Sequence, residues 1–241
     1  MTNRLTLPDS LSLDDLHTFL GRAAAVDDGA TRLIGTGGVL AAYVGVLAPS
    51  GLLDTSPTVL GLRTYALAPE PVPEGAGAGG PDDGRGDSFD VVVPLRAMIE
   101  RLTRLQNEVV DPTAAVTVTL PPVVITASWA AISPPRGGWV ASSPVPPAVL
   151  EASAAAGIAE VAQVIPTGTG EQIVHRVRSE VWSRPVDGTD GVPAGAAFAA
   201  LTLGFLAPDE DVRVFSVGAW NRLSTSRGHV LVKRRSASLL G

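Results

Sequence analysis

Four segments of this chain carry the spacing or the composition of helices. Residues 12–26 have an apolar stripe at helical intervals, and Ser12 stands where a capping side chain is expected. Residues 94–108 show a second apolar stripe, and residues 147–164 are rich in alanine, the strongest helix former. Residues 192–206 are apolar on nearly all sides, which is typical of a buried helix.

Alternation of apolar and polar positions predicts strands in the rest of the chain. The glycine-rich residues 35–38 lie between two such segments and predict a hairpin turn. The last three segments follow one another through turns at Gly218 and at residues 227–228, so they predict a three-stranded meander. The predicted strands are residues 32–34, 39–47, 58–67, 114–120, 172–183, 212–217, 219–224 and 229–234.

The order of these elements predicts the fold class. Strands come in groups and do not alternate strictly with helices, which argues against a doubly wound parallel sheet. We therefore expect an α+β fold with mostly antiparallel sheets and helices packed on one face. Two lobes are expected, at residues 1–110 and 111–241. The first would contain a flexible acidic loop at residues 69–88, where proline and glycine are frequent and apolar bulk is almost absent.

Composition narrows the class of protein. The chain is 45% apolar and 17% charged, as folded globular proteins are. It contains no cysteine, which excludes disulfides, thiol catalysis and cysteine-based metal sites. No signal peptide is visible at the start, and the longest apolar stretch, residues 194–207, is shorter than the ~20 residues that span a bilayer. We expect a soluble cytoplasmic protein that needs no cofactor and no metal.

Charge is distributed unevenly along the chain. The last 30 residues hold no acidic residue and six basic ones, whereas the other 211 hold 12 basic and all 24 acidic residues. Charge of one sign gathered in one region attracts a partner of the opposite sign. The six basic residues are Arg213, Arg222, Arg227, Lys233, Arg234 and Arg235.

The predicted meander is the first candidate binding surface. In its last strand, His229, Leu231 and Lys233 would share one face. If the predicted strand at residues 172–183 lies beside the meander, its arginines would join that face, and Trp182 and Trp220 could offer stacking surfaces to single-stranded nucleic acid. The alternative is that these charges are simply solvated. The candidate residues are Arg176, Arg178, Arg213, Trp220, Arg222, Arg227, His229 and Lys233.

A proline-rich loop is the second candidate. Trp129 and Trp139 enclose a turn that contains Arg136, so half of the four tryptophans lie in one irregular stretch. Such a loop is typical of a partner-binding surface. The alternative is that both indoles anchor a long loop to the core.

The sequence contains none of the catalytic templates that spacing alone would reveal, such as a nucleophile elbow, a zinc-binding helix or a phosphate-binding loop. Its three histidines are too far apart in the sequence to define a metal site. A non-enzymatic binding or adaptor protein is therefore the main hypothesis. Its partner would be an acidic protein surface or a nucleic acid, and not a membrane. The alternative is a cofactor-independent enzyme with a small anionic substrate in a pocket between the lobes, oriented by Arg136, Arg176, Arg178 and His229.

Overall fold

The computed structural model of the protein describes residues 4–49, 54, 56–69, 88–164 and 171–234. Most of the predicted flexible loop at residues 69–88 lies outside the described residues, as does the end of the chain from Arg235.

The described residues form ten β-strands and five α-helices. The strands are β1 (Arg4–Leu7), β2 (Ala30–Thr36), β3 (Val39–Leu47), β4 (Thr58–Ala66), β5 (Phe89–Pro94), β6 (Val116–Thr119), β7 (Val140–Ala141), β8 (Arg213–Val217), β9 (Trp220–Thr225) and β10 (Gly228–Lys233). The helices are α1 (Ser10–Ala24), α2 (Leu95–Glu108), α3 (Pro147–Val164), α4 (Glu171–Ser183) and α5 (Ala194–Thr202), with a short 3-10 helix at Ser128–Ala131.

The strands form two sheets. Eight follow the order β5-β2-β3-β4-β10-β9-β8-β7, and β1 pairs with β6 in a separate two-stranded sheet. The described ladders are antiparallel. The prediction of an α+β fold with mostly antiparallel sheet, ending in a three-stranded meander, is confirmed.

The chain divides into two compact units. The first comprises Met1–Val44 and Arg63–Ala130, and the second comprises Gly45–Leu62 and Ala131–Gly241. Because β3 and β4 each contain a point of division, both strands contribute residues to both units. The lobe boundary between residues 110 and 111 stays a prediction.

In the first unit, α1 packs against α2. The start of α1 differs from the expectation: the backbone N–H of Ser12 donates to the Asp9 carboxylate at 2.7 Å, so Asp9 is the cap and Ser12 lies in the first turn. Leu16 and Phe19 on the predicted apolar stripe are buried.

In the second unit, three helices pack together and α5 lies against β10. The buried α5 consists largely of small residues, so neighbouring chain can approach closely. Trp182 stacks on Phe198 with ring centroids 4.5 Å apart. The same indole lies against the backbone of Gly157 on α3, at a place where a Cβ would collide with the ring.

The expected strand at residues 172–183 is wrong, because this segment is the helix α4. Its apolar residues Val174, Val177 and Val181 also fit helical spacing, and Trp182 beside them is buried. The segment fits both the two-residue period of a strand and the 3.6-residue period of a helix, and its packing against α3 and α5 favours the helix. As a result, Arg176 and Arg178 belong to a helix and do not extend the sheet.

Candidate binding face

Strand register gathers several of the predicted site residues on one side of the meander. Arg213 on β8 and His229 on β10 both lie opposite Ser224 on β9, and in the next row Arg222 lies opposite Phe215. Directly paired residues point to the same side of a sheet. We define the cationic face as Arg213, Phe215, Trp220, Arg222, His229 and Lys233 together with Trp139, whose ring contacts Arg222.

The other side of the meander faces the helical layer of the second unit. Gly228, Val230 and Val232 alternate with His229 and are buried. A Cβ on Gly228 would lie 2.6 Å from the ring of Phe205, which follows α5. The cationic face therefore points away from α5.

Arg222 lies at the centre of the cationic face. Its guanidinium carbon is 4.9 Å from the ring centroid of Trp139 and 4.6 Å from that of Phe215. The indole N–H of Trp139 donates to the carbonyl of Pro135 at 3.1 Å, which fixes one wall of this arrangement. Cation–π contacts of this kind orient a guanidinium without occupying its N–H donors.

Among the described residues, the positive charges of the cationic face lack acidic partners. Burial and the neighbouring Arg213 both lower the pKa of Arg222. The Nε atom of Arg222 is buried and has no hydrogen-bond partner. Within the part of the chain that the structure describes, Arg213, Arg222 and Lys233 take part in no ion pair.

His229 belongs to the same electrostatic environment. Its pKa is lowered by burial first and then by Arg222 and Arg213. Its Nδ1 is 3.0 Å from the hydroxyl oxygen of Ser224. The neutral form of the imidazole is therefore favoured while the face carries no anion.

The structure does not bring all candidate residues to this face. Arg176 is exposed and Arg178 half-buried on α4. Arg227 lies in the β9–β10 turn, and its guanidinium donates to the carbonyl of Leu206 at 3.1 Å. Arg136 is exposed in the irregular segment that precedes β7.

The tryptophans also separate. Trp129 is buried in the 3-10 helix and belongs to the first unit, whereas Trp139 belongs to the second. Trp182 is buried against Phe198, so the prediction that it offers a stacking surface is wrong. Trp220 lies on the cationic face but is only 7% exposed, and the Lys233 ammonium lies 6.0 Å from its ring centroid.

Phe215 is a component of the site that the sequence reasoning missed. It lies two residues after Arg213 on β8 and therefore on the same side, and the register places it opposite Arg222. The signal was present in the sequence as an aromatic residue at the second position after an arginine, in the first strand of the predicted meander. Without the register, nothing connected that residue with Arg222.

The second unit also contains a groove among its helices. A groove of about 450 Å³ lies between α3 and the segment after α4, with Gly157 and Val181 in its wall. Its charged lining residues are Glu160, Arg184 and Asp187, and the first two form an ion pair at 2.7 Å. None of the four residues proposed to orient a substrate lines this groove.

Across residues 4–49, 54, 56–69, 88–164 and 171–234, no three His, Asp or Glu side chains are grouped as a metal site requires. In those same ranges no helix has both the length and the apolar character needed to cross a bilayer.

Comparison with known proteins places the chain in a family. Residues 1–121 match the model of the domain of unknown function DUF8010. The chain belongs to the DUF8010 family. Residues 134–237, which include the whole meander, match a second model, the domain of unknown function DUF8185. No match is found among curated protein sequences.

Solved structures share the fold of this DUF8010 protein. A putative DNA polymerase III beta subunit from Eubacterium rectale is 8% identical with a TM-score of 0.50, over 98% of this chain and 66% of that one. The DNA polymerase III subunit beta from Pseudomonas aeruginosa is 11% identical with a TM-score of 0.44, over 98% and 66%. The Helicobacter pylori beta clamp bound to a DNA ligase peptide is 8% identical with a TM-score of 0.44, over 99% and 68%. The chain thus spans about two thirds of the length of these structures.

Proposed function

We propose that this protein is a non-enzymatic binding protein whose cationic face takes up an acidic segment of a partner protein. The main observation behind the proposal is that Arg222 is held in place but has no acidic partner in the described chain. Two aromatic rings hold its guanidinium in place, no acidic side chain of the described chain pairs with it, and its buried Nε has no hydrogen-bond partner. A polar group left in that state costs stability unless a ligand completes its hydrogen bonds.

Charge complementarity favours a carboxylate-bearing partner. The chain has a net charge of −6, yet Arg213, Arg222 and Lys233 share one face without an acidic counterpart among the described residues. Carboxylates form paired hydrogen bonds with guanidinium groups, and these bonds are stronger than those between neutral groups. An acidic protein segment would supply carboxylates at the spacing of a polypeptide.

Nucleic acid is the less favoured partner. Proteins that bind single strands need aromatic faces on which bases can stack. On this surface Arg222 covers ring faces of Trp139 and Phe215, and Trp220 is buried beneath Lys233. The fold shared with a putative DNA polymerase III beta subunit is compatible with a binding role but does not identify the partner.

Fluorescence anisotropy with a labelled octaglutamate peptide and a labelled single-stranded oligonucleotide tests the proposal. The triple variant R213E/R222E/K233E reverses the cationic face. The control R4E/R96E/R104E makes the same change in net charge at three exposed arginines of the first unit. We expect the wild type and the control to bind octaglutamate with an affinity that falls as salt rises, and the face variant to lose binding.

Two outcomes would contradict the proposal. If the face variant and the control bind octaglutamate equally, the cationic face is not the site. If the wild type prefers the oligonucleotide and only the face variant loses it, the surface is a nucleic-acid site and the partner class is wrong.

A further inference from the structure

We propose that Arg213, Ser224 and His229, with Arg222 beside them, form a carboxylate-binding site in which His229 takes up a proton as the carboxylate binds. This inference rests on the proposed function, because it identifies the group of the acidic partner that the cationic face recognises and how pH controls its binding.

The geometry comes from the antiparallel register. Arg213, Ser224 and His229 lie directly opposite one another on three adjacent strands. Side chains in such a row are separated by about 5 Å per strand, so a single carboxylate can contact neighbouring members. Arg222 is in the next row on the same face, on the same strand as Ser224. Two guanidinium groups and an imidazole thus border one area of surface, and Ser224 between them is 2% exposed.

The hydrogen bonding of His229 leaves one ring nitrogen for the ligand. Its Nδ1 contacts the Ser224 hydroxyl at 3.0 Å, and in the described residues no hydrogen bond is made by its Nε2. The imidazole is half-buried. A neutral ring that carries its proton on Nε2 can donate to a carboxylate oxygen while Nδ1 accepts from Ser224. The imidazolium makes the same contact with a positive charge, which a bound carboxylate stabilises.

The charged neighbours of His229 come from β8 and β9. They are Arg213 and Arg222, and both lower the pKa of the imidazole. On its other side, β4 places Leu62 opposite it, which carries no charge. At the β9–β10 turn, Arg227 donates to Leu206, and the Glu210 carboxylate accepts from the N–H and hydroxyl of Ser226. No described acidic group therefore offsets the two arginines at the imidazole.

Binding of an anion should counteract the lowering of the His229 pKa by the two arginines. A carboxylate held by Arg213 and Arg222 cancels part of their positive field and is itself a partner for an imidazolium. The pKa of His229 then rises on binding, so the complex binds a proton that the free protein does not. Affinity must increase as pH falls through the interval between the free and the bound pKa, by about tenfold for each unit that separates them.

Proton NMR of the histidine ring Cε1–H resonances tests the inference directly. The chain has three histidines, so H229Q identifies the signal of His229, and His17 and His175 serve as internal references. We expect the pKa of His229 to lie below 6.5 in the free protein and to rise by about one unit or more when octaglutamate is added. The references should not move.

Binding measured from pH 8 to pH 5.5 gives the second readout. The wild type should bind octaglutamate several-fold more tightly at the acidic end. H229Q retains a side chain that can contact Ser224 but cannot take up a proton, so its affinity should be nearly independent of pH. The matched variant H175Q, on α4, should keep the wild-type pH dependence.

The outcomes separate this inference from the proposed function. Octaglutamate that binds to the cationic face with an unchanged His229 pKa and a flat pH profile would overturn the protonation site while leaving the proposed function intact. Absence of binding at every pH would overturn both.

Discussion

Replacement of Arg222 by methionine separates a binding role for this side chain from a structural one. Methionine keeps an unbranched apolar stem between Trp139 and Phe215 and removes the charged group. If Arg222 exists to stabilise the sheet, its loss should destabilise the fold. If it exists to meet an external carboxylate, the fold should tolerate its loss.

The contacts of Arg222 allow the size of the effect to be worked out. Removing the cation loses two contacts with aromatic rings, each worth about 0.5–1 kcal/mol at a half-exposed site. It also removes a buried donor without a partner, which costs about 1–3 kcal/mol while it remains unsatisfied. Repulsion between Arg222 and Arg213 disappears as well. The loss of about 1–2 kcal/mol is therefore offset by a gain of about 1–3 kcal/mol, so R222M should lower the free energy of unfolding by no more than about 1 kcal/mol.

Urea unfolding monitored by circular dichroism provides the assay, with L223A as a destabilising reference. Leu223 follows Arg222 on β9 and pairs with Val230, so it lies on the side of the sheet away from the cationic face, and it is 2% exposed. Truncation of such a buried leucine costs about 2–5 kcal/mol. R222M should therefore unfold near the wild-type midpoint and L223A well below it, while R222M alone loses affinity for octaglutamate. A loss of more than about 2 kcal/mol in R222M would show that the arginine supports the sheet, and the inference from its unpaired state would fail.

Two further predictions concern packing and pH. G157A should lower the free energy of unfolding by about 1–3 kcal/mol, because its methyl group would collide with Trp182. G21A on α1, with open space around it, should raise the free energy of unfolding by about 0.5–1 kcal/mol in the same urea assay, and equal shifts in the two variants would contradict the packing of α3. Arg32 donates to both oxygens of Asp90 at 2.8 and 2.6 Å and lowers the pKa of that carboxyl group. The pair should therefore stabilise the fold at pH values above the ordinary pKa of an aspartate. This stabilisation should be lost as the pH falls through the lowered pKa of Asp90. The stability difference between wild type and D90N should therefore shrink below about pH 4 in urea unfolding at several pH values, and a constant difference down to pH 2 would refute this pairing.

The parts of the fold that the sequence predicted are those where local pattern and tertiary packing agree. The meander strands have clear alternation and glycine-containing turns, and the structure places β8, β9 and β10 within a residue or two of the expected bounds. The apolar α5 could only be a buried element. Residues 172–183 carry both periods, and only the neighbouring helices decide between them, so the prediction from local pattern was wrong there.

The sequence predicted a basic surface on the meander, but it did not identify every residue that forms this surface. Alternation alone places His229 and Lys233 on one face of β10, as the structure has them. Neither the register of β8 against β9 nor the position of Trp139 over Arg222 follows from local pattern, because both depend on pairing between separate segments. The two candidates that the sequence suggested separately, the meander and the tryptophan loop, meet where Trp139 contacts Arg222.

The most direct test of the central claim uses the four indole N–H resonances of the protein in a ¹H–¹⁵N correlation spectrum during titration with octaglutamate. Trp139 and Trp220 lie on the cationic face, whereas Trp129 is buried in the first unit and Trp182 is stacked on Phe198. If the face binds the acidic segment, the resonances of Trp139 and Trp220 shift with one common binding curve and those of Trp129 and Trp182 stay in place. Binding that shifts Trp129 or Trp182 and leaves Trp139 unmoved would contradict the claim.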